Sequence, residues 1–108
     1  MTGLAWGAVL LAASFEIVIA LALKEAAAFT RPLPTALTLL AALGSLSLLS
    51  FAMTRLPVGT AYAVWVGLGA AAVAITGVFV LGESTAPARL ACIGLILLGV
   101  VGLKLVPG

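Results

Sequence analysis

Glu16 lies well inside an apolar run, Ser14-Phe15-Glu16-Ile17-Val18-Ile19-Ala20, and of all the residues in this chain it is the one best placed to do chemistry. An ionised carboxylate at the centre of a bilayer costs about 3 kcal/mol even on lenient insertion scales. Desolvation disfavours the charged form, so small changes of surroundings decide whether such a group holds a proton. A carboxylate in that condition can trade a proton for a cation. The plainer reading is a permanently protonated glutamic acid donating one interhelical hydrogen bond, worth about 1 kcal/mol. Two features favour exchange. Ala12, Ala13, Ile19 and Ala20 stand one helical turn to either side, a face small enough to admit a helix or a ligand beside the acid. No Lys or Arg lies at comparable depth in the other apolar runs, unless Lys104 bends inward. The counter-charge is therefore expected to be mobile, a proton or a cation.

Tyr62 and Trp65 are three residues apart, with Gly69 one turn further on. A stripe of this kind lines a cation pocket, because aromatic faces attract organic cations and the hydroxyl and indole N–H can hydrogen-bond a carboxylate. Alternatively, the two rings mark headgroup depth as part of an interfacial aromatic belt. Gly67 and Gly69 weaken the helix at a point where a bend would let its halves move separately, though close packing explains them equally well. Ser45 and Ser47 ordinarily bond across to a neighbouring helix or back to their own. Gly94, Gly99 and Gly102 form a small-residue surface in the last run, suited to contact with a second subunit. Cys92 reads as inert filler.

The elements that must carry these residues follow from composition. The 108 residues are 65% hydrophobic and 7% charged, whereas charged residues make up about a quarter of an ordinary soluble domain. Lipid is the solvent implied. A helix needs about 20 apolar residues to cross the hydrocarbon core, and the chain supplies four such runs, expected over about 4–23, 34–53, 58–81 and 86–106. The fold class expected is all-α and integral to the membrane, a single four-helix domain over 1–108. A barrel is disfavoured because the runs lack two-residue alternation. The joints between runs hold Lys24 to Pro32, Thr54-Arg55-Leu56-Pro57 and Gly82 to Pro87, each read as a tight turn between antiparallel helices, with Pro34 starting the second helix. Both termini then lie on one side. The loops opposite them carry Lys24, Arg31 and Arg89, and the terminal side Arg55 and Lys104. So balanced a count allows insertion in either orientation.

Other function classes fall away. A net charge of +2 from so few groups makes no nucleic-acid surface. With no histidine, the usual metal sites and His-based catalytic arrangements are excluded, and no enzyme activity, metal or cofactor is expected. A single cysteine cannot form an internal disulfide. The first apolar run lacks a basic flank and an obvious cleavage site, so it reads as a retained helix rather than a signal peptide.

Taken in order, Phe15-Glu16-Ile17, Lys24, Phe29-Thr30-Arg31 and Leu56-Pro57-Val58-Gly59-Thr60-Ala61-Tyr62-Ala63-Val64-Trp65 resemble the marks of the small multidrug resistance family of bacterial exporters, nearly end to end. The resemblance implies a multi-pass protein of the bacterial inner membrane. It also implies an antiparallel, dual-topology homodimer in which two copies of Glu16 share one site and protons compete with cation during alternating access. Val66 to Ala70 and Gly102-Leu103-Lys104 look more like the family's guanidinium-exporter branch, in which a serine at the place of Ser45 joins the glutamate network. The chain departs from that branch at two positions. Ile19 stands where a tryptophan is typical and Ala13 where a glycine is typical. Loss of the indole loosens the polar cage around a planar guanidinium, and an isoleucine tolerates bulkier cations.

Export of guanidinium or substituted guanidinium in exchange for protons is thus the first expectation. Export of quaternary ammonium and other lipophilic cations is the alternative, as is service as one subunit of a heterodimer with a paralogue. A proteolipid rotor subunit also carries one mid-membrane acid but would normally need only two helices. In a non-transporting scaffold Glu16 would be dispensable.

Overall fold

The computed structural model describes residues 2–106. These form α1 (Thr2–Glu25), α2 (Pro32–Ala52), α3 (Val58–Leu81) and α4 (Pro87–Leu105). The helices hold 24, 21, 24 and 19 residues, or about 28–36 Å at 1.5 Å per residue, which matches a hydrocarbon core about 30 Å thick. All four are apolar enough to cross a membrane. Because lipid offers no partner to a free N–H or C=O, each span satisfies its backbone internally.

Prolines set three of the helix starts. Pro32 and Pro87 open α2 and α4, and Pro57 caps α3. At such positions the missing N–H is one that would have had no helical partner. Helix α2 therefore begins two residues ahead of Pro34. Helix α1 continues beyond the apolar run to Glu25. The joint that follows is more contorted than a simple turn, since Ala27, Ala28 and Phe29 take φ of 47°, 61° and 66°. Left-handed backbone costs a residue with a Cβ about 1–2 kcal/mol. The bonds that hold it run from the Thr30 N–H to the Ala26 carbonyl (2.9 Å) and from the Thr30 hydroxyl to the Ala27 carbonyl (2.7 Å).

Across the membrane plane the helices stand in the order α2, α1, α3, α4: α1 packs against α2 and α3, while α4 lies along α3. The result is a slab 43 × 34 × 17 Å, too thin to surround anything on all sides. Its core is built largely from small residues. Ala5, Val9, Leu49, Ala52, Ala61 and Val64 meet in one cluster, and the alanines let the backbones approach closely where dispersion, rather than water exclusion, must hold helices together. The Phe15 ring presses on Gly44, where an added Cβ would stand 2.7 Å from its edge.

Large apolar side chains point outward instead, among them Leu33, Leu40, Phe79 and Leu98, which is the arrangement lipid requires. Of the described residues of α4 only Ile93 is buried. No described residue outside the helix's own turn lies within 4 Å of where a Cβ would stand on Gly94, Gly99 or Gly102, and Cys92 is exposed. Helix α3 runs unbroken through Gly67 and Gly69. Both glycines serve close packing there: a Cβ on Gly67 would meet Val100 at 2.9 Å, and one on Gly69 would meet Glu16.

Candidate functional site

Helix α1 lays the stem of Glu16 across Gly69 of α3. A Cβ at Gly69 would fall 2.7 Å from the Glu16 Cγ and 3.2 Å from its Cβ, with the Ala13 carbonyl oxygen 3.8 Å away. Glycine at position 69 therefore lets the two helices meet at the depth of the acid. The carboxyl group, half-buried, faces a cavity of about 620 Å³ between α1 and α3, whose walls include Ile19, Ala20, Trp65, Val66 and Gly69. That volume lies within the range, about 300–1,000 Å³, of pockets that take drug-sized ligands.

A chain of three hydrogen-bonding groups ties the helices together beside the acid. The Trp65 indole N–H on α3 donates to the Ser45 hydroxyl on α2 at 3.0 Å, and that hydroxyl donates to the Ala12 carbonyl on α1 at 2.9 Å. Ser45 is fully buried. Glu16 neighbours the same hydroxyl, which has a single proton and can serve either the Ala12 carbonyl or the carboxylate, but not both at once. Ser47, by contrast, bonds back to Leu43 of its own helix at 2.7 Å. The two serines are two residues apart and so face different neighbours.

The other residues singled out in the sequence are dispersed around this centre. Ile19 lines the cavity one turn beyond Glu16. Ala13 is buried one turn before it. Tyr62 stands outside the cavity walls and is 52% exposed. Its ring packs on Trp65 with centroids 5.4 Å apart and planes tilted by 56°. Gly94, Gly99 and Gly102 lie on the far helix, away from the acid.

Among the described residues Glu16 has no ionic partner. Lys104 does not bend inward to meet it; its Nζ sits 5.0 Å from the centroid of the Trp6 ring. Arg55 lies over Phe51 at 4.7 Å, and Arg31 pairs with Glu25 at 3.3 Å.

The cavity extends toward the α3–α4 joint and takes in Thr76, Gly77, Glu83 and Arg89. In the sequence Glu83 falls within the joint after the third apolar run and Arg89 among the loop charges. Their spacing was the available signal, an acid six residues before an arginine across a proline-started helix, but nothing in the order of residues shows that the joint folds back over the cavity. Gly82 makes it do so. It takes φ of 67°, a conformation glycine adopts freely, and the next N–H, of Glu83, donates to the Gly77 carbonyl at 3.1 Å. Arg89 Nη2 then meets Glu83 Oε1 at 2.9 Å, and Nη1 donates to the Ser84 carbonyl at 2.7 Å.

Comparison with known proteins finds a family and several relatives. Residues 4–96 match the family model described as Small Multidrug Resistance protein. The chain is 51% identical over 102 residues to proteins named "Guanidinium exporter" from Citrobacter freundii and Klebsiella oxytoca, and 50% identical to one of the same name from Escherichia coli O6:H1. In each case the match spans 94% of this chain and 97% of the relative.

Proposed function

Because this chain belongs to the small multidrug resistance family, we propose that it is a proton-coupled antiporter that exports guanidinium or substituted guanidinium ions, with Glu16 as the group that binds cation and proton in turn. It is a multi-pass protein of the bacterial inner membrane. The observation that carries the proposal is the setting of Glu16, a carboxyl group on the wall of a cavity with no ionic partner among the described residues. An acid placed this way takes up either a proton or a mobile cation, and whichever is bound excludes the other. That exclusion is the coupling. The name of the relatives supplies the substrate class, and Trp65 and Ser45 supply a rigid polar edge next to the acid.

A single slab 17 Å thick leaves the cavity open on one side. The working unit is proposed to be an antiparallel, dual-topology homodimer, in which a second copy closes the cavity and brings a second Glu16 to it. The near balance of Lys and Arg between the two sides supports insertion both ways up. Two carboxylates sharing one site titrate as a pair, so the number of protons moved per cation belongs to the pair. Gly94, Gly99 and Gly102 are proposed as the seam, with the lipid bilayer and the second copy as the protein's structural partners. Quaternary ammonium export is the second reading, and it rests on the apolar Ile19 at the cavity wall.

The test is uptake of guanidinium into liposomes holding the purified chain, driven by a pH gradient. Glu16→Gln is expected to abolish it, and substantial coupled transport by that variant would overturn the mechanism. In the unmodified protein, cation binding should tighten as pH rises, approaching tenfold per pH unit for each proton displaced. In Glu16→Gln it should not change with pH.

A further inference from the structure

Two glutamates reach the same cavity, and each is seated on a glycine of the same helix. Glu16 lies on Gly69. The carboxylate of Glu83 lies against Gly77, where an added Cβ would collide with Oε1. Gly69 and Gly77 are eight residues apart, or about 12 Å along α3, so the cavity has one acid inside it and another at its mouth. The setting of the outer acid is electrostatically peculiar. It lies over the last turns of α3, where the free carbonyls of the helix end already concentrate partial negative charge. The Arg89 guanidinium offsets the carboxylate through one bond to Glu83 Oε1, and a second bond, to the Ser84 carbonyl in the joint, tethers it there. Glu83 Oε2 accepts no hydrogen bond from any described residue.

The group that Arg89 brings to this carboxylate is itself a guanidinium, with the planar donor fork that a free guanidinium ion presents. The side chains are 31% and 47% exposed, and a pair so open to solvent is weakly held. We propose that Glu83 is an outer binding station for the transported cation, which takes the open Oε2 and then displaces the tethered guanidinium of Arg89 on its way to or from Glu16. Arg89 fills the station when no cation is present and keeps the negative mouth from standing unpaired. The inference rests on the reading of Glu16 as the exchange carboxylate.

The experiment measures initial rates of guanidinium influx against concentration in liposomes holding the full chain, with Glu16→Gln run alongside. Glu83→Gln should lower kcat/KM through a KM raised roughly two- to fivefold, the range that one solvent-screened charge supports. Gly77→Ala, which pushes the carboxylate aside without removing its charge, should raise KM in the same direction. Arg89→Gln removes the competitor and should leave KM at or below that of the unmodified chain. If Arg89→Gln raises KM as much as Glu83→Gln does, the pair is a staple for the joint and the station is overturned. An unchanged KM in Glu83→Gln overturns it as well. Should Glu83→Gln fail to fold, Gly77→Ala takes its place, and an unchanged KM in that variant overturns the station. Loss of transport in Glu16→Gln together with an unchanged KM in Glu83→Gln would remove the outer station and leave the inner site standing. Coupled transport surviving in Glu16→Gln would remove the inner site.

Discussion

Glu16 and Gly69 are in direct contact across the α1–α3 interface, so close that a Cβ on position 69 would stand 2.7 Å from the Glu16 Cγ. The atoms it would meet belong to the root of the glutamate side chain, which cannot swing away without moving α1 or turning the carboxyl group off the cavity.

Gly69→Ala should therefore separate stability from transport. Overpacking costs about 1–3 kcal/mol, but an alanine in a helix recovers about 1 kcal/mol relative to glycine. The expected net loss is no more than about 2 kcal/mol, with guanidinium transport reduced at least tenfold, a change of about 1.4 kcal/mol. Thermal unfolding in detergent and liposome uptake on the same preparation check the two halves. Full transport by the alanine variant would show that the close approach is incidental.

The bond from Trp65 to Ser45, and from there to Ala12, predicts an energetic coupling. Ser45→Ala leaves the indole N–H and the Ala12 carbonyl without their partner, whereas Trp65→Phe leaves only a hydroxyl lone pair unused. Ser45→Ala should be the more destabilising of the two by about 1 kcal/mol. The double variant should cost less than the sum of the singles, by about 0.5–1.5 kcal/mol. A double-mutant cycle on unfolding measures this, and strict additivity would mean that the bond contributes nothing.

Ile19 lines the cavity one turn beyond the acid, so substrate choice should respond to it. Ile19→Trp adds an N–H donor and bulk at the wall. Transport of guanidinium relative to tetra-alkylammonium ions should rise roughly tenfold, the scale on which one added hydrogen bond of about 1.4 kcal/mol discriminates. Currents from a panel of both ion types would show it, and an unaltered ratio would take Ile19 out of the explanation.

The open face of α4 bears on assembly. No described residue outside its own helix turn lies within 4 Å of a Cβ placed on Gly99, so Gly99→Leu starts into open space within one copy. If α4 forms the seam, this variant should lower the crosslinked dimer fraction in detergent several-fold and leave the helical circular dichroism unchanged. A full dimer yield would move the seam elsewhere.

What could be read from the residue order alone was what depends on solvent and local chemistry. Four apolar runs of about 20 residues, broken by proline and charge, specify four spanning helices, because lipid leaves the backbone no other way to satisfy its polar groups. The cost of a charge in hydrocarbon is likewise local, and it marked Glu16 without any structure. Tertiary structure decided which side chains share a space. For Gly67 and Gly69 the residue order leaves bending and close packing equal, and only the structure shows which atoms each glycine meets. Ser45 and Ser47 are chemically equal in sequence, yet one bonds across to α1 and the other to its own helix. In sequence Glu83 is one residue of a joint, and only the turn at Gly82 brings it over Gly77 and into the cavity that holds Glu16. Hydropathy and helix periodicity act over a few residues. Which faces meet is settled by packing between elements far apart in the chain, and that is why Glu16 could be singled out from sequence while its contact with Gly69 could not.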